Sequence, residues 1–253
     1  MPRYALKLEF CGTGFVGWQR QAEGLSVQRV IEDAAAPLNR GEAPLATAAG
    51  RTDAGVHAEA MVVDLDLAAD LPPERVREAI SARTLPHAIV ALAAARVADD
   101  WSARFACLGR AYRYRIMNRS ARPALEAGRL WHVKRRLDAE AMHAAAQSLL
   151  GRHDFSAFRA AACQAKSPLR TLDRLEVSRL GEEVVIVAEA RSFLHHQVRN
   201  LVGTLVEVGA GTRGVDWPRQ VLEGRDRGRA GQTAPAEGLV FVAARYDPEP
   251  DWT

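Results

Sequence analysis

One loop carries residue types that could do chemistry: Gly50-Arg51-Thr52-Asp53-Ala54-Gly55-Val56-His57-Ala58. It sets a single carboxylate, Asp53, between an arginine, a threonine and a glycine turn. Strand-like runs flank it, Leu45 to Ala49 and Met61 to Leu67. A loop between two strands is where a rigid scaffold can present one reactive side chain. Gly50 and Gly55 permit backbone angles that a side chain would forbid. Arg51 is close enough in sequence to hold the Asp53 carboxylate or to reach a phosphate beside it. A carboxylate held this way can act as a nucleophile or as a base. The plainer reading is an Asp-Ala-Gly turn capped by its own side chain.

Metal chemistry has weaker support. His195-His196 would point about 100° apart on a helix and could not easily share one ion. His57 and His153 add no ligand spacing. Gly12-Thr13-Gly14 lacks the Lys-Ser/Thr of a phosphate-binding P-loop. Cys11, Cys107 and Cys163 are odd in number and lie far apart, which argues against disulfides and cysteine zinc sites and for buried thiols. No metal and no cofactor is expected.

Four further blocks accompany the loop. They are Gly12-Thr13-Gly14-Phe15-Val16-Gly17-Trp18-Gln19-Arg20-Gln21, Ala103-Arg104-Phe105 with Arg110-Ala111-Tyr112-Arg113-Tyr114, Phe193-Leu194-His195-His196-Gln197-Val198-Arg199-Asn200, and Ala236-Glu237-Gly238-Leu239. Together and in this order they resemble the motifs of the TruA-type tRNA pseudouridine synthases, over nearly the whole chain. Departures from that pattern fall at Phe10-Cys11, Trp101-Ser102 and Ala82 to Thr84, and none touches Asp53, Tyr112 or Arg199.

The resemblance implies an isomerase that converts uridine to pseudouridine at positions 38, 39 and 40 of the tRNA anticodon arm; the alternative is a non-catalytic, ferredoxin-like RNA-binding module, against which the intact Asp53, Tyr112 and Arg199 argue. Asp53 falls on the family's catalytic aspartate. Tyr112 would stack on the flipped uracil, and its phenol could move a proton at the ring carbon. Arg199 would pair with Asp53 and aim it; by itself it reads as an arginine in the apolar helical run Leu194, Val198, Leu201, Val202. Arg51 would help to extrude the base, and Leu239 would contact the substrate. The family's fold is two ferredoxin-like lobes sharing a mixed, mainly antiparallel central sheet, with the active cleft across it. The resemblance also implies a homodimer.

The elements that must position these residues alternate strand and helix. Tyr4 to Phe10 and Met61 to Leu67 alternate as half-buried strands do. Ser26 caps a helix with Val27, Val30, Ile31 and Ala34 on one stripe. Pro72-Pro73 opens a helix to about Ser81, and Ile89 to Val97 is a strand. Arg110 to Asn118 follows as a strand, then a helix capped by Asp138, then a hairpin of Leu172 to Leu180 and Val184 to Ala190 around Gly181. A helix from about His196 to Gly209, a short one near Trp217-Pro218, and a strand from Gly238 to Tyr246 complete the chain. The order predicts an α+β protein of two lobes, 1–106 and 107–253, with the boundary near Cys107.

Composition agrees. At 253 residues and 48% hydrophobic, the chain has ample material for a core. No apolar run reaches the roughly 18 residues of a bilayer span, and the N-terminus lacks a signal-peptide core, so a cytoplasmic protein is expected. The net charge of +3 is unevenly spread: residues 1–106 hold 11 Lys/Arg against 14 Asp/Glu, and residues 107–253 hold 23 against 17. From Arg104 to Arg136 ten basic residues accompany one acid, Glu126, with Tyr112, Tyr114 and Trp131 interleaved. That pattern suits phosphate-backbone binding with base stacking, and equally a solvated strand face.

Overall fold

The computed structural model describes residues 1–253. In chain order its elements are β1 (Arg3–Phe10), α1 (Val27–Ala35), β2 (Thr47–Ala48), β3 (His57–Asp66), α2 (Pro73–Arg83), β4 (Ile89–Val97), β5 (Gly109–Met117), β6 (Trp131–His132), α3 (Ala139–Gln147), β7 (Gly151–Asp154), β8 (Leu169–Leu180), β9 (Glu183–Ala190), α4 (Gln197–Gly209), α5 (Trp217–Gly224) and β10 (Leu239–Arg245). The strands form a large sheet in the order β4-β1-β3-β10-β5-β9-β8-β7, with β2 on β3 and β6 on β5. It is mixed and mainly antiparallel; the β5–β6 pair is parallel. No helix is long and apolar enough to cross a membrane.

The first compact unit is Met1–Arg110 with Phe241–Thr253. Its strand β1 lies between β3 and β4 and is antiparallel to both, with Leu6 opposite Val63 and Ala94. With β2 on the far side of β3, the run strand-helix-strand-strand-helix-strand takes the ferredoxin-like arrangement. Alternation in β1 holds in its second half: Tyr4, Leu6, Leu8 and Phe10 are buried and Lys7 and Glu9 are not, but Ala5 on the opposite face is buried too. The Ser26 hydroxyl accepts from the Arg29 backbone N–H at 3.2 Å, so α1 starts where a cap satisfies an otherwise orphaned donor. Helix α2 buries Val76 and Ile80 and runs two residues past Ser81. Strand β2 is shorter than the run Leu45 to Ala49 suggested: Thr47 and Ala48 pair with Asp64 and Val63 of β3, and Ala49 adds one N–H donated to Val62 O at 2.8 Å.

The second unit is Ala111–Val240. Its elements run from β5 to α5, with β9 lying between β5 and β8. Asp138 Oδ1 accepts from the backbone of Glu140 and Ala141, both at 3.0 Å, and starts α3. The β8–β9 hairpin turns through Gly181 at φ +60°. Strand β7 was not foreseen: Gly151-Arg152-His153-Asp154 has no apolar alternation, and it is a strand because its backbone pairs with Leu169–Leu172 of β8.

The division between units falls at Arg110 and Ala111, and the last residues return to the first unit. Tertiary hydrogen bonds explain that return. Leu108 N–H donates to Arg245 O at 2.8 Å, Tyr246 Oη to Ala103 O at 2.8 Å, and Thr253 N–H to Ala94 O at 3.0 Å. No local pattern near Cys107 reports such long-range pairing.

Candidate active site

Two glycine-dependent contacts hold the Asp53 loop. Gly12 N–H donates to His57 Nδ1 at 3.0 Å inside the protein, and a Cβ on Gly12 would lie 2.1 Å from Val56 O. Gly17 takes φ +105°, and a Cβ there would lie 2.6 Å from Thr52 O and 3.1 Å from the Asp53 carbonyl carbon. The next residue, Trp18, is buried and donates its backbone N–H to Thr52 O at 3.0 Å. The opening Gly-rich motif is thus the wall on which the aspartate loop rests, with no room for a side chain between them. Within the loop, Val56 N–H donates to Asp53 O at 3.1 Å and Gly55 takes φ +81°, while Gly50 lies outside the left-handed region. The loop is a turn, as its Asp-Ala-Gly pattern requires, and a turn with a fixed backbone. Asp53 is half-buried at its tip; Arg51 is exposed and makes no ion pair. The Thr52 Oγ1 atom is buried without a hydrogen-bond partner.

The rest of the first motif braces this wall. Gln28 Oε1 accepts from Gln19 Nε2 and from the Arg20 backbone, both at 2.8 Å, while Gln28 Nε2 donates to Glu32 Oε1 at 2.9 Å. Arg20 reaches Glu32 at 3.0 Å. Gln19 and Arg20 therefore anchor the turn to α1.

In the second unit, Tyr112 and Tyr114 point the same way along β5 and have different duties. Tyr112 is buried, with its ring edge-on to Phe193 at 5.2 Å and 90°. Tyr114 is fully buried; its hydroxyl donates to Pro235 O at 2.7 Å, and burial pushes its phenol well above the usual range. A Cβ on Gly238 would lie 2.4 Å from Tyr114 Cζ, so this glycine exists to let the ring in. Leu239, next to it, is buried at the start of β10. Tyr114, counted among the aromatics interleaved in the basic run, is a core residue and is closed to a base. The signal was present in the pairing of Arg-x-Tyr-x-Tyr with a distant Glu-Gly.

Arg199 stands in the first turn of α4, half-buried, and its Nε donates to Ala234 O at 2.7 Å. Ala234 N–H returns a hydrogen bond to Arg199 O at 3.1 Å. Beneath it, buried Asn200 donates to Phe158 O at 2.8 Å and accepts from Thr233 Oγ1 at 2.7 Å and Arg227 at 3.1 Å. Thr204 Oγ1 accepts from Gly231 N–H at 3.0 Å, and a Cβ on Gly203 would lie 1.8 Å from Gln232 O. Residues 231–234 are therefore locked against α4, and Arg199 is aimed by a satisfied polar network.

The histidines differ from expectation. His196 is not within the helix. It is the residue before it, at φ +61°, and the His195 and His196 rings lie 4.0 Å apart. The 100° separation of helical neighbours does not describe this pair.

The basic segment also divides. Arg115 is engaged by Glu183 at 2.8 Å and Glu126 at 2.9 Å, and Arg119 by Glu182 at 2.7 Å, so neither is open to a phosphate. Arg104, Arg122, Arg129, Lys134, Arg135 and Arg136 are exposed and form no ion pair. Alternation on β5 puts Arg115 on a sheet face shared with Glu183 of β9, which sequence spacing could not show.

Residues 145–247 match the family model described as tRNA pseudouridine synthase. The chain is 60% identical to tRNA pseudouridine synthase A of Acidiphilium cryptum over 99% of its own length and 98% of that protein. It is 56% identical to the protein of that name from Rhodospirillum centenum, over 97% and 100%, and 54% identical to that of a Methylobacterium species, over 99% of both.

Proposed function

The chain belongs to the tRNA pseudouridine synthase A family, and from that premise we propose that it isomerises uridine at positions 38, 39 and 40 of the tRNA anticodon arm with Asp53 as its catalytic carboxylate. The reaction breaks the bond from the ribose anomeric carbon to a uracil nitrogen and makes one to a ring carbon. The proton on that carbon leaves, the nitrogen gains one, and atoms and electrons balance without an oxidant or added water. A carboxylate beside the anomeric centre can serve as nucleophile or as base on the sugar. The target base must first leave its stack. Tyr112 stacks on it, Leu239 borders it, Arg51 assists its extrusion, and Arg199 pairs with Asp53. The working form is a homodimer in the cytoplasm.

The observation that supports this reading best is the Asp53 loop, held by Gly12 and Gly17 at contact distances that leave no room for a side chain. A surface turn would not need such a wall. Incubation with unmodified tRNA, followed by derivatisation that adds mass only at pseudouridine and mass-spectrometric mapping, tests it. Product at positions 38–40 is expected. No product, or product confined to other arms, would refute the assignment.

A further inference from the structure

A pocket of about 220 Å³ lies at one edge of the second unit, lined by Arg152, Leu169, Arg170, Thr171, Arg191 and Ser192. Its position follows from strand register. Arg152 of β7 is directly opposite Thr171 of β8, and Arg191 follows β9 one step beyond the Leu172–Ala190 pair. Three arginines thus converge at the ends of three adjacent strands, and no carboxylate lines the space. Elsewhere in this unit, arginines with acidic neighbours are ion-paired: Arg174 with Glu176 and Glu189, Arg115 with Glu126 and Glu183, and Arg219 with Glu223. Arg152 and Arg170 make no ion pair. Arg170 is held rigidly, with Nη1 donating to Ser167 O at 3.0 Å and Leu169 O at 2.6 Å. Its Nε is buried and has no hydrogen-bond partner. Burial pushes its guanidinium below the ordinary arginine value, the direction that an anion would reverse.

A buried, oriented guanidinium donor without an acceptor is costly, and an anion entering the pocket would satisfy it. A water takes roughly 30 Å³ of liquid volume, so the space admits a phosphate with room to spare. Planar arginine forks match phosphate oxygens, and the Thr171 and Ser192 hydroxyls add neutral donors.

We propose that this pocket seats one backbone phosphodiester of the RNA substrate, separate from the basic stretch Arg104 to Arg136. The inference rests on the reading of the protein as a tRNA-modifying enzyme. The pocket adds electrostatic grip and register, with no part in the chemistry at Asp53.

The test compares the full-length protein with the Arg152→Ala/Arg191→Ala double variant, both positions being exposed, after a thermal melt confirms that each folds. Binding of unmodified tRNA is measured over a range of salt, and pseudouridine formation by wild type is measured alongside. Loss of one phosphate contact should lessen the slope of log affinity against log salt by roughly 0.7–1 and weaken binding about tenfold. The Arg152→Lys/Arg191→Lys variant keeps the charges and should recover most of the slope. Arg219→Ala, which removes an ion-paired arginine, should leave the slope unchanged. An equal fall in that control would reduce the effect to net charge and overturn the proposal. Inorganic phosphate is titrated while the arginine Nε–H signals are followed by NMR. Signals that shift with phosphate, beside a tRNA slope unaltered in the double variant, would make this a small-anion site and overturn the RNA assignment. If wild type makes pseudouridine and the double variant keeps the full slope, the pocket inference alone fails. If wild type makes none and binds tRNA without salt dependence, the functional reading falls and takes the pocket with it.

Discussion

Replacing Gly17 by alanine should slow the reaction through the backbone of the Asp53 loop, without removing any group that meets substrate. Gly17 sits at φ +105°, which costs an L-residue about 1–2 kcal/mol. The added Cβ would lie 2.6 Å from Thr52 O, whereas real Cβ atoms keep at least 3.0 Å, so the loop must retreat by 0.4 Å or more. It cannot retreat cheaply, because Thr52 O also accepts from Trp18 N–H at 3.0 Å. Overpacking of this kind adds about 1–3 kcal/mol, so the total loss of stability should be about 2–5 kcal/mol. If a shift of about 1 Å costs about a hundredfold in rate, a shift of about 0.4 Å should cost about five- to tenfold. Gly14 is the matched control: its φ is +83° and a Cβ there meets nothing within 4 Å. Gly14→Ala should carry only the backbone cost and leave turnover near wild type. Single-turnover pseudouridine formation at saturating tRNA reads the rate, and urea denaturation reads the stability. A Gly17→Ala enzyme that is folded and turns over within twofold of wild type would refute the argument that close approach positions Asp53.

Asp53→Asn should abolish turnover while tRNA affinity stays within about threefold, since removing one negative group does not weaken phosphate contacts; a tenth of the wild-type single-turnover rate would dismiss the catalytic role. Tyr112→Phe should cost on the order of a hundredfold in turnover if its phenol moves the ring proton, whereas a mild effect would leave it only stacking. Tyr114→Phe should instead lower stability by about 1–2 kcal/mol, because Pro235 O loses its donor; an unchanged denaturation midpoint would contradict this. Arg115→Ala should not change the salt slope of tRNA binding, because Glu183 and Glu126 already engage that side chain, and a fall near one unit would show that it meets a phosphate. The hydrogen bond from Arg3 holds the Asp66 carboxyl below its ordinary value of 3.8. The stability from that pair is therefore present above the ordinary value and lost as pH falls through the depressed one. Acid denaturation of Arg3→Met should lack this loss, and curves parallel to wild type would show that the pair contributes nothing.

Much of the local structure could be read from residue pattern alone. Ser26 and Asp138 begin their helices as caps, and Ile89–Val97 is a strand over the bounds that its apolar run suggests. These features depend on neighbours along the chain, and periodicity reports neighbours. The Asp53 loop was legible for the same reason, since its turn is made by its own glycine and aspartate. The family, too, followed from motifs in order along the chain. What the chain alone could not supply was every feature decided by residues distant in sequence. Strand β7 exists only because β8 lies beside it, and the residues from Phe241 on join the first unit, where Arg245 O accepts from Leu108 N–H and Tyr246 Oη donates to Ala103 O. Gly12 and Gly17 stand in a motif far from Asp53 in the chain, and tertiary structure made them the wall behind it. Tyr114 and Gly238 form one contact across more than a hundred residues. Arg115, one basic residue in a basic run, is engaged by an acid on another strand, while Arg152, Arg170 and Arg191, scattered in sequence, line one pocket. Local pattern encodes which elements form, because propensity and burial act over a few residues. Which side chains meet, and which charges remain open, is decided only when the sheet brings distant strands into register.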